Sequence, residues 1–372
     1  MGRFLLGIDA AVLSKPGAGM GRYLIEVCKR LDTLLPEARF VVYTPSPLLV
    51  ELPSARWVTR QEGTSLARLG SSYAWLKLCV SRLAKSDRVD VFWAPRTILP
   101  ARSRAFLTVC TVHDLNYRLF PMSMPYATRW AHRLWFARDI RRADAVVANS
   151  QGTARRLRGM LGVEVAAVAT PGVAESFTQR TPARISTQLK ALGVTRPYFL
   201  GVGTLEPRKN LPALIEAFIS LKRDGNLAAY DLIIVGNRGW RNGTVRSQLR
   251  AARAWGVRWF GFVSDAELAA LYSGATAFVF PSVYEGFGIP ALEATACGTR
   301  VIASDVPELR EAGGPEGTYV APTVSGIRAG LLSALEAPPP SHPHPQNWMD
   351  AAQTMADLFE VLSRRHAKGD TR

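Results

Sequence analysis

The sequence predicts an α/β protein built from two doubly wound parallel-sheet domains in series. Three observations predict it. The chain has 372 residues, more than one ordinary hydrophobic core accommodates. Short apolar runs alternate with helix-length segments, the pattern of parallel strands buried on both faces. That rhythm also stops near residue 170, crosses a Pro- and Gly-containing stretch, and restarts. With 48% hydrophobic and 20% charged residues the chain can bury real cores, which excludes both global disorder and a small disulfide-stapled module.

In order, the first strand is Phe4–Ile8, closed by Asp9, followed by a helix running to about Leu35. Phe40–Tyr43, Val89–Trp93, Phe106–Val112, Ala145–Ala148 and Val165–Ala169 complete the first set of strands. Thr170–Pro182 is the natural linker. Tyr198–Gly203, Leu232–Val235, Val257–Phe262, Ala277–Phe280 and Val301–Ala303 make the second set. Pro338, Pro339, Pro340, Pro343 and Pro345 end the last helix of that domain, and Trp348–Arg364 is helical again before a polar tail. The predicted divisions are therefore 1–175, 176–345 and 346–372.

Cys28, Cys79, Cys110 and Cys297 are far apart and form no C-x-x-C pair, so neither a zinc site nor a redox dithiol is indicated and a reducing, cytoplasmic setting is expected. The opening apolar run is too short for a signal segment, and no later run reaches eighteen apolar residues. The net charge of +16 is unevenly placed: residues 1–180 carry 26 Lys and Arg against 13 Asp and Glu, residues 181–372 only 20 against 17. Such asymmetry directs the first half toward something anionic, nucleic acid or acidic lipid, unless it is simply a solvated basic surface.

In doubly wound sheets ligands bind beyond the carboxyl ends of the strands, so loops just after strands carry the chemistry. Four stand out. After the first strand, Pro16–Tyr23 includes Gly17, Gly19 and Gly21; glycines there let backbone N–H groups approach a phosphate, although the same spelling suits a flexible strand-to-helix turn. The fourth strand ends in His113-Asp114, where a neutral imidazole can bond a substrate hydroxyl or serve structure alone. The second domain opens with Gly203-Thr204-Leu205-Glu206-Pro207-Arg208-Lys209-Asn210, a compact double cation suited to a diphosphate. The sharpest feature is Glu285-Gly286-Phe287-Gly288-Ile289-Pro290, then Glu293 one turn inside the next helix. Free N–H groups at that helix start make an anion cradle, Glu293 can accept from vicinal ribose hydroxyls, and Glu285 can grip the hydroxyls of a sugar.

At these residues the chain resembles the retaining glycosyltransferases of family 4, with the GT-B fold of two Rossmann-like domains facing across a cleft. Glu285 and Glu293 match the E-x7-E element, and GTLEPRKN matches the diphosphate loop. The Gly21-Arg22-Tyr23 loop end, His113-Asp114, Ala148-Asn149-Ser150 and Pro171-Gly172-Val173 extend the likeness over nearly the whole chain. The spelling is most similar to the bacterial mannosyltransferase branch that builds surface polysaccharide, including lipopolysaccharide. The resemblance implies that Arg208 and Lys209 bind the donor diphosphate and Glu293 the ribose. It implies that Glu285 and His113 touch the transferred sugar as the catalytic pair. It gives Gly286, Phe287 and Gly288 backbone bonds to sugar and phosphate, brings Gly19 and Gly21 over the phosphates, and returns the terminal helix to the first domain. Arg300 stands where the family usually has proline, a departure that touches no expected contact.

The resemblance further implies a hexose, mannose from GDP-mannose, passed to a saccharide or lipid-linked acceptor. No metal or other cofactor is expected, since two cations and a helix end can meet the charge of a departing diphosphate and no D-x-D triplet occurs. The basic first half suggests peripheral attachment at the inner face of the cytoplasmic membrane. Leu66, Leu69, Tyr73, Leu76, Val80 and Leu83 form a stripe that fits either a lipid surface or a helix packed on its sheet; Trp75 and Leu78 lie off it. Arg129–Arg142, with Trp130 and Trp135, is a second basic segment. Competing readings are a UDP-sugar transferase or nucleotide-sugar epimerase of the same fold, an NAD-dependent oxidoreductase, disfavoured by the missing acid after the second strand, and a nucleic-acid-binding protein, for which no recognition motif is present. Alanine at Glu285 or Lys209 is expected to cripple transfer and leave the fold intact.

Overall fold

Leu5–Asp9 (β1) is buried along nearly its whole length because a parallel central strand meets helices on both faces, and its apolar run satisfies both. Around it, Arg39–Thr44 (β2), Trp57–Gln61 (β3), Val91–Ala94 (β4), Leu107–Val112 (β5), Ala145–Ala148 (β6) and Ala167–Val168 (β7) form one sheet in the order β3-β2-β1-β4-β5-β6-β7, every pairing parallel. Tyr198–Val202 (β8), Asp231–Val235 (β9), Val257–Gly261 (β10), Ala277–Phe280 (β11), Val301–Ser304 (β12) and Thr318–Val320 (β13) form a second, again all parallel, in the order β10-β9-β8-β11-β12-β13. In each sheet the strand order reverses beside the first strand, between β1 and β4 and between β8 and β11. Those are the topological switch points at which open α/β sheets take their ligands.

The computed structural model describes residues 4–14, 19–61, 72–239, 243–337 and 346–369. The chain falls into two units, one of residues 1–172 with 347–372 and one of residues 173–346. In unit 1 the helix Met20–Leu34 buries Tyr23, Leu24, Val27, Cys28 and Leu31, the i, i+3/i+4 stripe expected of a sheet-covering helix. The helix Trp348–Ala367 packs beside it: the Trp348 ring lies 5.7 Å from that of Tyr23, and Phe359 lies 5.6 Å from Trp93 of β4. Gly172 is obligatory where this helix begins, since a Cβ there would stand 2.2 Å from the Trp348 nitrogen. Each fully buried large apolar side chain of this kind contributes about 1.5–3 kcal/mol.

β3 and β13 are not apparent as apolar runs, and both are edge strands. β3 buries only Trp57 and β13 is half-buried throughout, so neither needs two apolar faces. The helical segment 72–86, which contains a π turn at Leu76–Val80, decides between the two readings of its stripe in favour of a helix packed on its sheet. Leu76 and Val80 belong to the core of unit 1, with Tyr73 and Leu83 packed against it, and Trp75 is wholly buried among them. Leu78 remains exposed, and Leu66 and Leu69 lie outside the described residues. Among the described residues no helix is long and apolar enough to cross a membrane.

Candidate functional site

The carboxyl end of β8 turns sharply. Gly203 adopts φ +150°, and its N–H donates to the Val235 carbonyl of β9 at 2.9 Å. A short 3-10 turn at Pro207–Lys209 follows, and Asn210, in the left-handed region, begins the helix Leu211–Arg223. This turn folds the stem of Lys209 back over Gly203, whose missing Cβ would lie 3.2 Å from Lys209 Cε. Lys209 is thereby 8% exposed, with its ammonium 4.6 Å from the centre of the Phe280 ring at the end of β11.

Glu285, in the loop after β11, meets both cations. Lys209 Nζ donates to its Oε1 at 2.6 Å and Arg208 Nη1 to its Oε2 at 2.5 Å, while Arg208 Nε donates to Glu206 at 3.0 Å. The Val283 N–H also donates to the Arg208 carbonyl at 2.9 Å, tying the two loops together. Burial alone would raise the Glu285 carboxyl, but Arg208 and Lys209 outweigh it and hold it at about 2. Burial pulls the Lys209 ammonium down from its ordinary value against the attraction of Glu285. The cluster thus sits on both sides of the β8/β11 switch point, its two cations held by two carboxylates.

The rest of the Glu285 loop runs into the helix Ile289–Ala296, with Pro290 in its first turn. Gly288 caps it at φ +116°, where a Cβ would come within 2.6 Å of Leu309. The Phe287 side chain lies in the core of unit 2, so only its backbone is available to a ligand. Glu293 is 5% exposed and accepts from the Tyr272 hydroxyl at 3.2 Å. Sequence reasoning gave no role to Glu206, which accepts from Arg208 two residues on, or to Tyr272, which donates to Glu293 from 21 positions earlier, a separation that leaves no local pattern to read.

In unit 1, Gly19 caps the helix Met20–Leu34 at φ +60° with open space where a Cβ would stand, and Gly21 is buried in its first turn. Gly17 lies outside the described residues. His113, just beyond β5, is held edge-on by the Tyr23 ring at 4.9 Å. Its backbone partner is Pro95, which has only a carbonyl to offer, so the imidazole donates there. Because Nε2 is buried with no partner among the described residues, Nδ1 carries the donated proton and Nε2 presents a lone pair. Sequence reading also missed the pair at the β1/β4 switch point, where Arg96 donates to both Asp9 carboxylate oxygens at 2.8 and 3.0 Å. Among the described residues no group of three or more His, Cys, Asp and Glu is placed to hold a metal ion.

Burial lowers His113 to about 4 despite the upward pull of Asp114, and lowers His132 to about 4 as well. Between the ordinary histidine value of 6.5 and 4 the unfolded chain binds protons that the folded chain refuses. The stability these groups contribute is therefore complete above about pH 6.5 and is lost as the pH falls toward 4. Melting temperature should drop across that window, and less so when both histidines are replaced by glutamine; an identical slope in the double variant would refute the assignment.

Two parallel sheets of this order, each with its loops gathered at a switch point, are the units of GT-B glycosyltransferases. Among solved structures the chain resembles sucrose-phosphate synthase from Thermosynechococcus elongatus, with a TM-score of 0.70 at 18% identity, covering 98% of this chain and 96% of that one. It also resembles WaaG, a glycosyltransferase involved in lipopolysaccharide biosynthesis, with a TM-score of 0.68 at 19% identity over 99% of each chain. The chain belongs to the family 4 glycosyltransferases: residues 17–176 match the family described as Glycosyltransferase Family 4, and residues 186–355 match Glycosyl transferases group 1. It is 28% identical to the O-antigen chain mannosyltransferase B of Escherichia coli over 342 residues, 86% of this chain and 88% of that protein.

Proposed function

We propose that this glycosyltransferase moves mannose from GDP-mannose, with retention at the anomeric carbon, onto a saccharide or lipid-linked saccharide of a surface polysaccharide. The observation that carries the reading is the pair Arg208 and Lys209, fixed by Glu285 at the β8/β11 switch point. A nucleotide-sugar bond breaks as negative charge gathers on the departing diphosphate, and preorganised cations lower that barrier most where water is excluded. Arg208 and Lys209 supply the charge, and the backbone from Gly286 to Gly288 adds N–H groups at a helix start. Glu293 accepts from the ribose and Glu285 holds a hydroxyl of the sugar, while in unit 1 the neutral His113 accepts from a saccharide hydroxyl. In this reading Gly19 and Gly21 leave backbone room for phosphate. Mannose rests on the mannosyltransferase named above.

The experiment is a thermal-shift series with GDP, UDP and ADP and their mannose and glucose conjugates, followed by transfer assays. GDP-mannose should stabilise the protein most, by RT ln(1 + [L]/Kd), about 2.7 kcal/mol at a hundredfold excess over Kd. Transfer should persist in EDTA, because the side-chain cations take the role a metal would have. Stabilisation by UDP-glucose and not GDP-mannose would replace the donor; activity lost in EDTA and restored by manganese would overturn metal independence; conversion of the donor into a second nucleotide sugar, rather than its hydrolysis, with no acceptor present would indicate epimerisation.

The proposed site of action is the inner face of the cytoplasmic membrane. Tyr126, Trp130 and Leu134 are exposed at successive turns of the helix Tyr126–Arg142, with Met122 exposed nearby. The guanidinium groups of Arg129 and Arg133 lie 5.4 and 5.7 Å from the Tyr126 and Trp130 rings. Aromatic rings beside cations suit the headgroup region of an anionic bilayer. Flotation should recover the protein with acidic but not neutral liposomes, and Trp130→Ala with Arg133→Glu should abolish it. Equal recovery with both lipids would sink the proposal.

A further inference from the structure

One buried polar side chain in unit 1 is left unexplained by the roles above. Asn149 follows β6 directly and is 5% exposed, yet among the described residues its Oδ1 has no hydrogen-bond partner. A buried amide oxygen left unpaired costs about 1–3 kcal/mol, so native proteins retain one chiefly where something else completes it. Its neighbour is His113. Val112 of β5 pairs with Ala148 of β6, and the Asn149 N–H donates to the Val112 carbonyl at 3.2 Å, so the two residues just past that pair stand side by side. Neighbours across a parallel pair lie about 5 Å apart with their side chains on the same face. Among the described residues His113 also has a buried nitrogen without a partner, and its donation to Pro95 makes that nitrogen an acceptor. Two adjacent buried acceptors without donors call for a ligand rich in O–H groups. A phosphate, which offers acceptors at neutral pH, does not fit them.

We propose that Asn149 is a sugar-binding residue: its Oδ1 accepts a hydrogen bond from a hydroxyl of a saccharide, beside the hydroxyl taken by His113. This rests on the glycosyltransferase reading and adds to it a second hydroxyl-recognising side chain. The sugar has two possible sources, the mannosyl group of the donor and the acceptor saccharide, and both offer the same chemistry.

The test compares Asn149→Ala and Asn149→Asp with the wild type in melting temperature, in slow hydrolysis of GDP-mannose without acceptor, and in steady-state transfer. The alanine variant should lose about tenfold in kcat/KM, the scale of one neutral hydrogen bond at a saturated site. It should melt at the wild-type temperature or above it, because an unpaired acceptor is removed; Asn149→Asp, which keeps an acceptor oxygen, should recover part of the loss. If the loss shows in hydrolysis and in the donor KM, the hydroxyl belongs to the donor; if hydrolysis is unchanged and the acceptor KM rises, it belongs to the acceptor. Full activity in Asn149→Ala, or a loss that accompanies a clearly lowered melting temperature in both variants, would overturn the proposal. A wild type that neither hydrolyses nor transfers from GDP-mannose would instead overturn the donor reading, and the melting comparison would still show whether Asn149 is structural.

Discussion

Glu285→Ala is expected to reduce glycosyl transfer by about 10²–10³-fold and to destabilise the protein as well. Alanine removes the acceptor from Lys209 at 2.6 Å and from Arg208 at 2.5 Å, and Lys209 is 8% exposed. Breaking a buried pair from one side leaves an uncompensated charge, typically at a cost of about 3–5 kcal/mol. Arg208 retains Glu206, so the larger share falls on Lys209. Burial already lowers that ammonium, and without Glu285 it falls further, so the variant should bind GDP progressively less as the pH rises. The sequence reading expects an intact fold; the ion pair changes that expectation to a measurable loss of stability. The Glu285 carboxyl is held at about 2, so its contribution is present above the ordinary carboxylate value of 4.5 and disappears as the pH falls toward 2. Chemical denaturation of Glu285→Ala and Glu285→Gln at pH 7, with GDP binding measured between pH 7 and 9, checks this. Wild-type stability and GDP affinity in the alanine variant would show that the pair holds nothing in place.

Gly236→Ala is expected to be the most damaging small substitution in unit 2. Gly236 follows β9 at φ +148°, a conformation that L side chains rarely adopt, and an added Cβ would lie 2.1 Å from the Gly203 carbonyl oxygen. Its N–H donates to Gly261 at 2.8 Å and its carbonyl accepts from Trp259 Nε1 at 2.9 Å, so the turn is held from both sides and cannot step aside cheaply. Strain of about 1–3 kcal/mol and overpacking of about 1–3 kcal/mol both apply, enough to unfold a marginal unit. Gly225→Ala is the control, since that glycine also has positive φ, at +82°, but nothing within 4 Å of the added Cβ. Gly236→Ala should melt well below Gly225→Ala and lose GDP binding, because Gly203 begins the loop that presents Lys209. Equal melting temperatures would mean that close approach adds nothing to the conformational penalty.

The strands beside the switch points were legible because each is a short run apolar on both faces, as Leu107–Val112 and Ala277–Phe280 are. β3 and β13 escaped because an edge strand need not be apolar twice over. The loops after β8 and β11 were legible from Gly203, Gly288 and Pro290, whose backbone demands are local. The stripe of the 72–86 segment left two readings open, since spacing says that a face is apolar and not what covers it; contact with the core of unit 1 decided between them.

By itself the sequence determined the two parallel sheets, the carboxylates and cations after their strands, and the family, because periodicity, turn chemistry and motif spacing are properties of neighbouring residues. Only the tertiary structure decided which charges meet. Glu285 and Lys209 are 76 positions apart, and it is the close pairing of β8 with β11 that brings them together. It also decided that Asn149 follows β6 where its N–H meets the Val112 carbonyl, next in the register to His113. A hydrogen bond forms or fails over a few tenths of an ångström, a scale fixed by packing and absent from any local pattern.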